Sequence, residues 1–118
     1  MIGAAKTALS SGVVIISNYS CFISPKSIIT STIRNGSNTT PNISANIISG
    51  TGPFTYLWEV DNSLITIANP TQESTTFTAS GFNEVVEGIV TLTVIDIGNG
   101  NAEAVDTSPI VFIFETNL

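Results

Sequence analysis

The chain has 118 residues, 42% of them apolar and only 10% charged, with a formal net charge of −6. That length suits one domain with its own hydrophobic core. There is no histidine, which removes the commonest general base and nitrogen metal ligand, and an acidic chain is repelled by nucleic-acid phosphates.

An ordinary soluble domain carries about 25% charged residues; here Ser, Thr and Asn supply most of the polarity. A weakly charged surface of short polar side chains favours association, so much of it is expected to lie against other protein. The basic residues Lys6, Lys26 and Arg34 all precede position 35, and every acidic residue lies from Glu59 onward. The acidic part of one copy would attract the basic part of another. The single cysteine, Cys21, cannot form an internal disulfide, so the core needs no oxidising compartment.

In chain order, residues 1–25 read as an N-terminal arm and 26–118 as the folded domain. Gly12–Ile16 is a β-branched strand without alternation, so both of its faces call for burial. Its apolar run, Val13, Val14, Ile15 and Ile16, is shorter than the roughly 7–15 residues of a signal-peptide core and far short of the ~20 of a membrane helix. The chain is therefore expected to be made without a leader and to have no membrane partner. Asn18–Pro25 is turn-rich. Ile28–Ile33 is a strand followed by the turn Arg34–Ser37, and Asn38–Asn42 is a polar loop. Ile43, Ala45 and Ile47 alternate with Ser44 and Asn46 as a half-buried strand.

Gly50, Gly52 and Pro53 form a turn. Phe54, Tyr56, Trp58 and Val60 then share one face of a strand, with Thr55, Leu57 and Glu59 on the other. Leu64–Ile67 and Thr75–Ala79 are short strands, and Ser80–Gly88 is a loop. Ile89–Ile95 alternates again, with Val90, Leu92 and Val94 on one side. Ile97–Asn101 closes a hairpin through two glycines. Ala102–Phe114 completes it, interrupted near Pro109, which cannot donate a ladder hydrogen bond. Short strands at regular spacing, with no helical period, predict an all-β sandwich.

The stretch GTGPFTYLWEVD, Gly50–Asp61, resembles the third strand of immunoglobulin-like sandwiches, and TYLWEVD resembles the PKD-type subgroup in particular. GIVTLTVID, residues 88–96, resembles that subgroup's penultimate strand. The likeness covers roughly residues 28–114. It implies an immunoglobulin-like antiparallel β-sandwich of about seven strands, with Phe54, Tyr56, Trp58 and Leu92 anchoring the core. Stand-alone domains of this kind resemble phage capsid, neck and tail accessories.

Several residues are of types that can carry chemistry. Cys21 has no histidine to activate it. Asp106-Thr107-Ser108 lacks the glycine and the second motif of an aspartic-protease loop. Glu84 and Glu87 lie in a predicted loop, where solvated carboxylates are ordinary. Asp96 with Asn99 and Asn101 is oxygen-rich but poor in carboxylates for calcium. No catalytic residue, metal or cofactor is therefore expected. The expected function is that of a non-catalytic virion structural protein, such as a capsid-decoration or other phage accessory protein made in the host cytoplasm. It would bind other virion subunits and copies of itself through Lys6, Val13–Ile16, Lys26, Ile110, Phe112 and Phe114. The alternatives are a phage neck or tail component, or a carbohydrate- or protein-binding module of a bacterial surface protein using Tyr56 and Phe82.

Overall fold

The computed structural model describes residues 18–31 and 34–115. Ten strands follow in order: β1 (Ser20–Ser24), β2 (Ile28–Ser31), β3 (Gly36–Thr39), β4 (Ile43–Ile48), β5 (Phe54–Val60), β6 (Thr66–Ile67), β7 (Ser74–Thr75), β8 (Phe77–Gly81), β9 (Glu84–Asp96) and β10 (Ala102–Phe114). One layer is the four-stranded sheet β2-β10-β9-β5. The other consists of β1-β4-β7 and β3-β8-β6. These two pieces run on into each other: Thr39 faces Thr78, whereas Ile43 faces Thr75. Four steps on one side against three on the other make a β-bulge at 40–42. Pro41 has no N–H to offer there, and the Thr40 hydroxyl accepts the Phe77 N–H at 3.1 Å. Both layers then count four lines of strand, and the chain is an all-β sandwich. All pairings are antiparallel except that of β2 with β10.

The hairpin of β9 and β10 is the longest element. Its pairing runs in one-to-one register from Asp96↔Ala102 to Glu84↔Phe114. Even-numbered residues point inward. Val90, Leu92, Val94, Ile110, Phe112 and Phe114 are buried, joined by Ile23, Ile43 and Phe77 from the other layer. Trp58 on β5 meets Phe77 edge-on across the layers, with ring centroids 6.1 Å apart, a geometry that suits the positive ring edge against the negative face. The Trp58 indole N–H donates to the Gln72 carbonyl at 2.7 Å. Phe54 and Tyr56 flank it half-buried, and Tyr19 stacks on Phe54.

The structure alters several expected boundaries. Ser20–Ser24, assigned to the arm, is a strand of the sandwich paired with β4, because Cys21 and Ile23 supply an inward apolar face. Gly12–Ile16 lies outside the described residues, as do Lys6 and the rest of 1–17. Ser80–Gly88 is not a loop: β8 runs to Gly81 and β9 starts at Glu84. Pro109 does not interrupt β10, because β2 joins that side of the strand only from Ile110 onward and no ladder bond is lost.

Trp58→Ala should destabilise the protein by about 3–5 kcal/mol through the cavity and the lost packing, as measured by urea unfolding. Ile23→Ala should cost about 2–5 kcal/mol, whereas a true arm residue would cost nothing.

Candidate interaction surface

Three aspartates that could have carried chemistry are instead clips between segments. Asp96, fully buried, accepts the backbone N–H groups of Thr51 and Gly52 at 2.8 and 2.9 Å. Both carboxylate oxygens are thus engaged in holding the turn before β5. Asp61 accepts the Ile89 N–H at 2.7 Å, and its neighbour Asn62 donates to the Glu87 carbonyl, fixing the end of β5 on β9. Asp106 accepts the Ile23 N–H at 2.8 Å and bonds the Lys26 ammonium, while Lys26 also donates to the Thr107 carbonyl. Ser108 accepts the Ser27 N–H at 2.8 Å. Together these groups hold the segment in which the chain leaves β1 in one layer and enters β2 in the other. Burial pushes the Asp106 carboxyl up. The hydrogen bonds from Lys26 and Ile23 and the Lys26 charge outweigh it, and the group titrates below its usual range.

The fold does not bring the other candidate residues together. Cys21 is buried; burial raises its thiol pKa, the Asp106 charge adds to this and Lys26 opposes it. An inert thiol is the result. Glu84 and Glu87 are three residues apart on one strand and so point to opposite faces. Tyr56 is level with Val94, whereas exposed Phe82 lies beyond the other end of β9. Ten residues of strand, about 34 Å, separate them, too far for one sugar platform.

What remains is the outside of the two layers, and these differ. Outside β1, β4 and β7 lies a row of serines, Ser24, Ser44 and Ser74, in which Ser44 and Ser74 hydroxyls are 2.9 Å apart. On β3, β8 and β6 the row is Thr39, Thr78 and Thr66, with the first two hydroxyls 2.8 Å apart. This face is polar and largely satisfied within itself, with Phe22 and Ile48 as its exposed apolar members.

The outside of β2-β10-β9-β5 carries apolar and acidic side chains, with Thr55, Thr91, Thr93 and Thr107 among them. Ile29, Val85 and Val105 are 63, 56 and 55% exposed, and Leu57 and Ile89 are also exposed. Cross-strand register places Val111 beside Ile29, Ile113 beside Val85, and Pro109 beside Ile89. The charges on this face are Glu59, Glu87 and Glu103; none of the four strands contains a lysine or arginine. At the β5–β9 seam, Glu59, Val60, Asp61, Ile89 and Thr91 line an open depression of about 460 Å³.

Among the partner-binding residues expected from sequence, Ile110, Phe112 and Phe114 are core residues with 0, 0 and 1% exposure. The expectation named the wrong side of the strand, since a doubly apolar run does not say which side turns inward; Val111 and Ile113 form the outward side. Lys26 is part of the Asp106 clip. Lys6 and Val13–Ile16 are outside the described residues. Trp58 and Leu92 are fully buried, and Phe54 and Tyr56 are half-buried at the rim.

No protein-family model matches this chain, no curated protein matches it, and no solved structure matches it.

Asp106→Ala should destabilise the fold by about 1–3 kcal/mol, the cost of leaving a buried N–H unpaired. Because the Asp106 pKa is lowered by folding, its contribution is complete above about pH 4, the unfolded value, and fades as pH falls through the folded one. Urea unfolding across pH 2–6 should therefore show a shallower acid loss of stability in the variant than in the parent.

Proposed function

We propose that this protein is a non-catalytic structural component of a virion, of the capsid-decoration or other phage accessory kind, built on an immunoglobulin-like domain. The observation that carries the reading is the apolar outer face of β2-β10-β9-β5, flanked by carboxylates and without a cation in its strands. Exposed apolar side chains gathered on one face of a sheet are a feature of interaction sites. The strand order supports the immunoglobulin-like assignment: a layer of four lines of strand packs on β10-β9-β5 as in the four-against-three constant-type arrangement, with β2 as an added line beside β10. The aspartates accept backbone N–H groups from distant segments, and Cys21 is buried. The virion setting comes from analogy at the level of fold and from the low charge of the whole chain, which suits permanent assembly.

The test is fractionation of phage particles from cultures that express the gene. Mass spectrometry of gradient-purified particles should find the chain at a fixed ratio to the major capsid protein. Recovery only from the soluble or envelope fraction would sink the reading.

A further inference from the structure

We propose that the outer face of β2-β10-β9-β5 is the seat of this chain's own N-terminal segment, residues 1–17, with the Lys6 ammonium in the depression between Glu59 and Asp61. The proposal rests on the reading of the protein as an assembly component and names what docks on that surface.

Charge selects the occupant. The strands of this face contain carboxylates and no lysine or arginine, so two such faces pressed together repel. Like charges brought face to face are among the strongest discriminators against a wrong partner. Segment 1–17 has the opposite character: it carries Lys6, no Asp or Glu, and the apolar run Val13–Ile16. The basic residues elsewhere are Lys26, bonded to Asp106, and Arg34. The other outer face offers serine and threonine hydroxyls already bonded to one another, which gives an apolar ammonium-bearing segment little to bind.

Reach permits it. The described chain begins at Asn18, and Tyr19 is fixed by its stack on Phe54 and a 2.9 Å hydrogen bond from its hydroxyl to the Val94 carbonyl. The described chain therefore begins at the end of the sandwich where β5 starts and β9 ends, on the inner side of that sheet, with the outward row of Thr55, Ile95 and Glu103 around its margin. Seventeen residues span at most about 60 Å, against about 44 Å for a thirteen-residue strand. The segment can lie along the whole face of its own molecule, or cross to the same face of a neighbour.

A nitroxide attached at Ser11→Cys in the full chain, with Cys21→Ala to leave one thiol, reads the location directly. The amide signals of Leu57, Ile89, Thr91 and Val105 should broaden, and those of Phe22, Ser44 and Thr78 should not. The broadening should be lost in Lys6→Glu and in Ile89→Lys. An unchanged urea midpoint in Lys6→Glu separates its effect from unfolding. Dilution of labelled into unlabelled protein tells own-molecule from neighbour docking, and either result supports the assignment. Broadening on the serine and threonine face, no broadening anywhere, or broadening that survives Lys6→Glu would overturn it. In those cases the particle fractions still decide the virion reading separately, and a foreign protein becomes the occupant of the apolar face.

Discussion

The register of the β9–β10 hairpin is the constraint on which the rest of the sandwich depends. Side chains alternate along a strand, so a slip of one residue would carry Val90, Leu92 and Val94 to the outside and Thr91, Thr93 and Ile95 to the core. The same slip would swing Asp96 away from the amides of Thr51 and Gly52. Both ends of the hairpin are pinned against it. At the tip, a side chain on Gly98 would collide with the Gly52 carbonyl oxygen, and Ile97 donates to the Pro53 carbonyl at 2.9 Å. At the other end, a side chain on Gly81 would collide with the Phe114 ring. Two close approaches that only glycine permits thus bracket thirteen paired residues. β5 and β2 take their positions from that hairpin, and the opposite layer meets it through Phe77 and Trp58.

Carboxylates do in this protein what a disulfide or a metal does in many small β-domains. Asp96, Asp61 and Asp106 each accept a backbone N–H from a segment 28 to 83 positions away. A charged acceptor makes a stronger hydrogen bond than a neutral one, and the donor is an amide with no strand partner of its own on that side. Asp96 commits both of its oxygens to amides in this way, Asp106 shares its carboxylate between an amide and the Lys26 ammonium, and Asp61 gives one oxygen to an amide.

The anchor strand was legible because Phe54, Tyr56, Trp58 and Val60 alternate cleanly with Thr55, Leu57 and Glu59. The hairpin was legible from Val90, Leu92 and Val94 and the glycine turn after them. β1 was hidden because Asn18, Ser20, Ser24 and Pro25 carry turn chemistry, which masks the inward pair Cys21 and Ile23. β3 is Gly-Ser-Asn-Thr, a sequence of low strand propensity held in place by its pairing with β8; tertiary context overrides a weak local preference. The doubly apolar Ile110–Phe114 run did not say which side turns inward. The aspartate clips were invisible for another reason: local pattern contains no information about an amide 45 or 83 positions distant.

The edges of the sheets bear on how such a surface is used. An open edge invites strand addition, yet β5 is shielded where the Trp58 N–H donates to the Pro70 carbonyl at 2.7 Å. The other margin strands are short, with two residues in β6, four in β2 and in β3, and five in β1, too few to template a long foreign strand. The serine and threonine face has already turned its hydroxyls on one another, so little is gained by covering it. The apolar face has the opposite balance: each exposed Ile, Leu or Val covered contributes favourably at about 25 cal/mol per Å², and desolvation of its few carboxylates is offset only if the covering surface brings positive charge. The two faces of the sandwich therefore differ in what covering them would gain, and the charges on the apolar one are all of one sign.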